Sequence, residues 1–143
     1  MPVSPADPSI IRIAAALLIG ADGHTLLVRK RGTRAFMQPG GKIEAGEQPV
    51  HALARELEEE LGLCIDPVQA RYLQQFSAPA ANEPGHVVQA EVFLVRIDSP
   101  VTPAAEIEEV RWIDPAGDGD LFLAPLTRDL ILPFYRQSQA TLA

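Results

Sequence analysis

The chain has 143 residues, of which 47% are hydrophobic, and a formal net charge of −7 at pH 7. This length suits one domain with its own core and is too short for two comfortable ones. The acidic balance argues against binding a nucleic-acid polymer, which requires clustered lysines and arginines, but it allows a single nucleotide carried with its metal.

The N-terminal part of the chain indicates neither a membrane span nor an export signal. Its longest apolar run, residues 10–21, is interrupted by Arg12, is too short to cross a bilayer and follows no basic segment of the kind that opens a signal peptide. The single cysteine, Cys64, cannot form an internal disulfide, which suits a reducing compartment, and we expect it to be a small buried residue. These features predict a soluble, cytoplasmic protein with no membrane partner.

The first predicted elements are two strands. Residues 1–9 carry three prolines and no periodicity, which predicts a flexible leader before a single domain over residues 10–143. The apolar run Ile10–Ile19 predicts a largely buried strand. The Asp22-Gly23 pair marks a hairpin turn, and Thr25–Arg31 predicts the returning strand.

The returning strand ends in three basic residues that lead towards a glycine-rich segment. Arg29 and Arg31 share one face of this strand, either as a solvated strand end or as a basic lip over the phosphates of a ligand. Gln38 stands immediately before Pro39-Gly40-Gly41 and is a further candidate for contact with a substrate.

A loop that feeds a helix follows. Residues 40–46 contain too many glycines for a helix or a strand and predict a tight loop. From about Gln48 to Leu61 the apolar residues recur at helical spacing. Pro49 stands where a proline is tolerated in a first turn, and Gly62 stands where a glycine ends a helix.

Three glutamates lie together on this predicted helix. Glu56, Glu59 and Glu60 occupy positions i, i+3 and i+4 on an arc beside the apolar face, where like charges repel each other unless a cation lies among them. Clustered carboxylates suit hard cations, Mg²⁺ or Mn²⁺, while Arg55 is placed to pair with a carboxylate such as Glu47. The helix alone equally allows a solvated charge run, as most such runs are.

Two β-rich runs follow the helix, Val68–Phe76 and Val87–Ile97. The segment between them, residues 77–86, is long for a loop in a compact domain, and such loops often contact ligands. Its polar members are candidates for lining a binding site, with capping of the next strand as the alternative role of the histidine: Asn82, Glu83 and His86.

The last third of the chain predicts a strand, a turn and a helix. The strand is Glu106–Trp112. Residues 114–120 alternate acids with turn formers, but they lack the pattern and the closing glutamate of a calcium-binding loop. From about Leu126 the apolar spacing predicts a C-terminal helix, which Pro133 would break or kink because it removes a backbone hydrogen bond.

The fixed positions of the loop and the first helix resemble, without omission, the signature of the Nudix hydrolases. Nine positions carry the resemblance: Gly41, Glu47, Arg55-Glu56-Leu57, Glu59-Glu60 and Gly62-Leu63. A chance match is on the order of 10⁻⁷ or less in a chain of this length, so the resemblance favours metal binding over a solvated charge run. It is strong over this motif and loose over the flanking pattern from Ile10 to Phe134.

The resemblance implies roles for these residues. In such enzymes the glutamates matching Glu56, Glu59 and Glu60 bind Mg²⁺ or Mn²⁺, two or more ions with substrate bound, together with the main-chain carbonyl matching Gly41. The arginine matching Arg55 counts among the catalytic residues. It is supported by an ion pair with the glutamate matching Glu47.

The resemblance also implies a further metal-binding or catalytic glutamate from a later loop, at no fixed spacing. The candidates are Glu83, Glu106 and Glu109, and exposed surface charge is the alternative for each. Family members commonly dimerise, so a homodimer is compatible with the resemblance.

Strands before, between and after two helices predict an α+β or α/β sandwich with a mixed sheet. The resemblance implies the Nudix fold, in which a mixed sheet lies between helices with the signature loop and helix at one edge. It further implies attack of water on a phosphorus of a nucleoside diphosphate linked to another group.

The expected substrate is an unmodified or oxidised nucleoside triphosphate, cleaved to a nucleoside monophosphate and pyrophosphate. ADP-ribose, other sugar nucleotides, dinucleoside polyphosphates and cofactor pyrophosphates are rival substrates. A nucleotide-sensing domain without catalysis would usually lack one of the signature glutamates. An acidic module that recruits a basic partner would need no metal.

Overall fold

The computed structural model describes residues 9–117 and 120–142, the side chains of 139–142 excepted. Seven strands and two helices follow each other in chain order: β1 Ile10–Ile19, β2 Thr25–Lys30, β3 Phe36–Met37, β4 Gly40–Lys42, α1 Pro49–Leu61, β5 Arg71–Pro79, β6 Val87–Arg96, β7 Ile107–Ile113 and α2 Leu132–Leu142. A 3₁₀ turn, Pro67–Gln69, precedes β5, and a π-helical turn, Thr127–Ile131, precedes α2.

Strand β1 lies at the centre of a mixed sheet. It pairs in parallel with β6 along its whole length, from Ile10 opposite Val87 to Ile19 opposite Arg96. On its other side it pairs antiparallel with β4 and, at its end, with β2. Strand β2 carries β3 and β7, while β5 closes the sheet beside β6. The predicted mixed sheet is confirmed.

The alternation of side chains along β1 explains the layers on either side of the sheet. Ala16 and Leu18 face α1 and join a core cluster that includes Leu57. Leu17 and Ile19 face the other way, into a cluster that contains residues of the π-helical turn and α2. A strand covered on both faces has to be apolar on both, so the Ala/Leu/Ile-rich run places the sheet between the helices and confirms the predicted sandwich.

Helix α1 begins and ends where the sequence predicts. Pro49 is its first residue, where a missing N–H costs nothing. Gly62 follows its last residue in the left-handed conformation, with φ of 67°, and its N–H donates to the carbonyl of Glu58. A glycine adopts this conformation without the strain that a Cβ would introduce.

The predicted strand Val68–Phe76 is wrong at both ends. Asp66 accepts a hydrogen bond from the N–H of Val68 and closes a capping box around the 3₁₀ turn, so Val68 is 88% exposed and strand β5 begins only at Arg71. The strand then runs on to Pro79, which shortens the predicted loop to residues 80–86. Cys64, predicted to be buried, is exposed, because it lies in the segment between α1 and this turn.

The break predicted at Pro133 takes a different form. The π-helical turn lies immediately before α2, and the N–H of Leu132 donates to the carbonyl of Thr127. Helical backbone continues from residue 125 through this turn into α2, so Pro133 lies inside it and cannot donate a backbone hydrogen bond there. The change of helical register therefore falls ahead of the proline.

Two predictions concern residues outside the described part of the chain. The leader lies outside it except for Ser9, and residues 118–119 of the acidic turn are likewise not described. Over the residues that the structure describes, neither helix has both the length and the apolar character that a bilayer crossing demands.

Candidate active site

The candidate site is organised by two adjacent glycines, Gly40 and Gly41. The prediction of a loop is wrong for this pair, which belongs to strand β4 and pairs with β1. Gly40 pairs with Ala15 of β1 at a φ of 148°, and a Cβ built on it would lie 2.1 Å from the carbonyl oxygen of Ala14. This close approach of two backbones is open only to glycine. It fixes β4 against β1, and the N–H of Gly40 donates to Oε1 of Glu60 on α1 at 3.3 Å.

The second glycine makes room for another glutamate of the same helix. A Cβ on Gly41 would lie 2.4 Å from Cδ of Glu56 and 2.6 Å from both of its carboxylate oxygens. The carboxylate of Glu56 therefore rests directly on the main chain of Gly41. Helical spacing puts Glu56 and Glu60 on one face of α1, as the sequence predicts, and the structure packs both carboxylates against β4.

Arg55 ties the loop to the helix. Its Nε and Nη2 donate to the two carboxylate oxygens of Glu47 at 2.9 and 2.8 Å, a bidentate pair, and Nη2 also donates to the carbonyl of Lys42 at 3.2 Å. Its Nη1 donates to Oε2 of Glu56 at 2.9 Å and lies 3.6 Å from Oε1 of Glu59. One guanidinium thus holds the loop and fixes the orientation of a signature carboxylate, which a lysine could not do with a single point charge.

The pair with Arg55 gives Glu47 a defined pH response. The hydrogen bonds from Arg55 hold the pKa of Glu47 at about 2, well below its ordinary value of 4.5, with smaller contributions from the Glu44 backbone N–H and the charge of His51. A carboxylate whose pKa falls on folding stabilises the fold above its unfolded pKa and loses that contribution as the pH falls towards the folded pKa.

The stability difference between the wild type and Glu47→Gln is therefore expected to be constant from about pH 7 to about pH 5 and to shrink between about pH 4.5 and about pH 2. Urea midpoints across this range measure it, with Glu58→Gln, a change at an exposed glutamate of α1, as the control. A difference that stays constant down to about pH 2 would contradict the ion pair.

Glu60 is the most deeply buried carboxylate of the site. Glu60 is only 2% exposed, and this burial raises the pKa of its carboxyl group to about 7. The nearby carboxylates of Glu56 and Glu106 raise it further, while Lys30 and the Gly40 N–H act in the opposite direction. A carboxylate buried beside other carboxylates gains most from a cation among them.

The three signature glutamates share a helix face but have different partners. Glu60 points to Gly40, Glu56 to Gly41 and Arg55, and Glu59 is about half exposed beside Arg55. Within the described ranges, no three His, Cys, Asp or Glu side chains stand close enough together to chelate an ion. The donor set of carboxylates and a main-chain carbonyl nevertheless fits a hard cation, and the burial of Glu60 beside Glu56 fits a positive charge.

The two arginines of the predicted basic lip are paired with other residues of the protein. Arg29 donates to the carbonyl of Thr33 at 2.9 Å and pairs with Glu109 at 3.3 Å, and Arg31 pairs with Glu108 at 3.4 Å. Both arginines hold local partners. Lys30, which the sequence analysis did not single out, is the basic residue whose charge acts on Glu60.

Of the candidate further acids, Glu106 is the one whose charge acts on Glu60. Its Oε1 lies 3.4 Å from Nζ of Lys30, and its charge raises the pKa of Glu60. Glu109 is engaged by Arg111 at 2.7 Å and by Arg29, which lower its pKa. Glu83 is exposed in the loop between β5 and β6.

The polar members of that loop do not converge on the glutamates. Asn82 and Glu83 are exposed. The His86 N–H donates to the carbonyl of Glu83 at 3.1 Å, and its carbonyl accepts from the N–H of Ala80 at 3.0 Å. His86 thus closes the loop through its backbone.

A cleft lies on the face of β1 that points away from α1. Ile13 and Ala15 form part of it, together with residues of β5, of β6 and of the segment before α2. Gln38 reaches it from the end of β3, and its Oε1 accepts a hydrogen bond from Oγ1 of Thr127 at 2.7 Å. No sequence signal identifies Thr127, because it is 89 residues away from Gln38.

The sequence is similar to a known domain family and to known proteins. The sequence profile of the NUDIX domain matches residues 10–126. An octanoyltransferase of Myxococcus xanthus aligns over 115 residues with 36% sequence identity, and the alignment covers 78% of this chain and 32% of the relative. An 8-oxo-dGTP diphosphatase of Haemophilus influenzae aligns over 77 residues with 43% identity, and the alignment covers 51% of this chain and 57% of the relative. The match therefore spans less than two thirds of either relative.

The fold has a counterpart among solved structures. The crystal structure of a MutT protein from Methanosarcina mazei aligns with 92% of this chain and 94% of its own, with a TM-score of 0.72 and 22% sequence identity. At this identity the likeness concerns the arrangement of strands and helices alone.

Proposed function

Because this chain belongs to the NUDIX domain family, we propose that it is a metal-dependent hydrolase of nucleoside diphosphate derivatives. Water would add across a pyrophosphate bond and release two phosphate-bearing products. The preferred substrate is a nucleoside triphosphate, unmodified or oxidised, which yields a nucleoside monophosphate and pyrophosphate.

The observation that carries this proposal is the packing of Glu56 and Glu60 on the two glycines of β4. A Cβ on Gly41 would collide with the carboxylate of Glu56, and Gly40 donates to the buried carboxylate of Glu60. Two carboxylates held at one strand edge repel an anionic pyrophosphate unless a cation lies between them. A site built in this way suits a substrate that arrives with its metal.

The side chains and the main-chain oxygen at this site suggest which residues would bind the metal. Glu56, Glu59, Glu60 and the main-chain carbonyl of Gly41 would hold Mg²⁺ or Mn²⁺, and Glu106 is the favoured further acid. When bound, such ions polarise phosphoryl oxygens, neutralise charge and lower the pKa of a nearby water.

The remaining charged residues position these ligands. Arg55 orients Glu56 and holds the loop through Glu47 and Lys42. Lys30 offsets the acidic charge near Glu60. The chain itself thus supplies ligands that are held in place before a substrate binds. This preorganisation lowers the entropic cost of binding.

The preference for a nucleoside triphosphate draws on two observations. The relative from Haemophilus influenzae is named for a diphosphatase activity on 8-oxo-dGTP. The notable segment Pro39-Gly40-Gly41-Lys42-Ile43-Glu44 also resembles the branch of the family that removes oxidised or excess nucleoside triphosphates. Sugar nucleotides such as ADP-ribose and dinucleoside polyphosphates are the alternatives. Retention of all three signature glutamates argues against a sensing domain without catalysis.

Metal-dependent release of pyrophosphate or phosphate is the expected result with a panel of nucleotides. The panel comprises unmodified and oxidised deoxynucleoside triphosphates, ADP-ribose, sugar nucleotides, diadenosine polyphosphates and NADH, each with Mg²⁺, with Mn²⁺ and with EDTA. Hydrolysis should be fastest for a nucleoside triphosphate and absent with EDTA. Hydrolysis that persists in EDTA, or silence across the panel while Mg²⁺ still binds, would contradict the proposal.

A further inference from the structure

The cleft on the far face of β1 is apolar except for two side chains. Its lining comes from β1, from the ends of β5 and β6, and from the segment before α2, and Leu126 and Val88 are typical of it. Gln38 and Thr127 are its two polar residues. Small-molecule sites in proteins have this composition, with a few placed polar groups among apolar walls.

Gln38 brings an unpartnered donor to this cleft. The residue is 6% exposed, and its Oε1 is occupied by the hydroxyl of Thr127. Its Nε2 is buried and has no hydrogen-bond partner among the residues that the structure describes. An unpaired buried donor destabilises a fold, so its presence indicates a ligand that accepts the hydrogen bond.

The hydrogen bond with Thr127 engages the oxygen end of the amide. The hydroxyl of Thr127 donates to Oε1 of Gln38, and both hydrogens of the amide nitrogen remain for a ligand. Thr127 is itself fully buried, at the start of the π-helical turn. The pair is thus held by packing before any ligand binds.

The position of Gln38 along the chain connects the cleft to the candidate active site. Gln38 precedes Gly41 by three residues, roughly 10 Å in extended chain. A ribose and its first phosphate bridge a distance of that order between a base and the pyrophosphate. A nucleotide whose phosphates lie at Gly41 can therefore place its base edge at Gln38.

We propose that Gln38, oriented by Thr127, is a specificity-determining residue that donates a hydrogen bond from Nε2 to a carbonyl oxygen of the substrate's base. This inference rests on the proposed function, since it takes the substrate to be a nucleotide. Purines with an oxygen at C6, such as guanine and hypoxanthine, satisfy the donor. Adenine presents an amino group at C6, and two donors then face each other.

The test uses nucleoside monophosphates, because their binding is independent of hydrolysis. Hypoxanthine and adenine have the same size, and the first carries an oxygen at C6 where the second carries an amino group. The dissociation constants of GMP, IMP and AMP are measured by NMR titration of the full chain in the presence of Mg²⁺. The signal of the Gln38 side-chain amide, identified by its absence in Gln38→Leu, is followed in the same spectra.

The wild type is expected to bind GMP and IMP about tenfold more tightly than AMP, the effect of one hydrogen bond. The Gln38 amide signal should shift with GMP and IMP and stay in place with AMP. In Gln38→Leu the tenfold ratio should fall to about one. Gln74→Leu, the same change at an exposed position of β5, should preserve it.

Several results would overturn the assignment. They are equal or tighter binding of AMP by the wild type, no binding of any of the three, an unmoved Gln38 amide signal, or a preference that survives in Gln38→Leu. If that variant fails to fold, Gln38→Glu, which also lacks the amide donor, identifies the amide signal and should likewise lose the tenfold ratio. Failure of the proposed function gives a different pattern, because the hydrolysis panel is then silent while the monophosphate preference persists.

Discussion

Glu60→Gln is expected to lower kcat by about 10³-fold or more while leaving the fold intact. Glutamine has the shape of glutamate and keeps an oxygen that can accept the hydrogen bond from the Gly40 N–H. It removes the negative charge that the proposed cation requires. Steady-state hydrolysis of the best substrate from the panel measures the loss.

The fold should tolerate this change better than most changes at a buried position. Glu60 is 2% exposed, and burying a carboxylate is unfavourable, so a neutral amide removes a destabilising contribution. The melting temperature without metal is expected to be equal to or higher than that of the wild type.

A matched control comes from the same helix. Glu58 is exposed, and Glu58→Gln alters the net charge by the same amount without touching the glycines of β4. It should retain wild-type hydrolysis and Mn²⁺ affinity, whereas Glu60→Gln should weaken Mn²⁺ binding in calorimetric titration. Turnover by Glu60→Gln at the wild-type rate would remove Glu60 from the proposed site.

Local geometry explains why the sequence predicts the helix side of the site. Residues three and four apart on a helix share a face, so Glu56 and Glu60 point in the same direction as soon as the helix forms. The ion pair of Glu47 with Arg55 spans only eight residues. It follows from the loop that feeds the helix. Contacts of this kind require no knowledge of the tertiary fold.

The alternation of side chains along β2 predicts which of its basic residues faces α1. Leu26 and Val28 pack in the cluster that contains α1. Strand alternation therefore directs Lys30 to the same side, towards Glu60. The same alternation directs Arg29 to the other side of the strand, where it pairs with Glu109.

Neither helical spacing nor strand alternation predicts the contact between Gln38 and Thr127. The two residues meet because the π-helical turn brings Thr127 against the end of β3. A glutamine before a glycine-rich loop and a threonine ahead of a helix are both ordinary in isolation. Only the tertiary contact shows which end of the amide is engaged and which is unpartnered.

The two glycines of β4 should separate stability from activity when each is replaced by alanine. At Gly40 the new Cβ would lie 2.1 Å from the Ala14 carbonyl oxygen, and the φ of 148° is unfavourable for any residue with a side chain. Neither backbone can withdraw without breaking the pairing of β4 with β1. Gly40→Ala is expected to lower the free energy of unfolding by about 3 kcal/mol.

For a domain of this size, that loss corresponds to a fall in melting temperature of roughly 6–12 °C. Thermal unfolding followed by circular dichroism measures it. At Gly41, by contrast, the new Cβ would meet the carboxylate of Glu56 at 2.4–2.6 Å. That carboxylate is the far end of a flexible side chain, which can rotate away at little cost to the fold.

Gly41→Ala is therefore expected to melt within about 3 °C of the wild type and yet to lose about 10²-fold in kcat, because a ligand displaced by about 1 Å costs that much. Both substitutions replace a glycine of β4 by alanine. The differences in melting temperature and kcat between the two variants therefore report the different groups that each glycine contacts. Equal melting temperatures for the two variants would contradict the close approach at Gly40. Full activity in Gly41→Ala would show that the position of Glu56 over Gly41 has no part in the reaction.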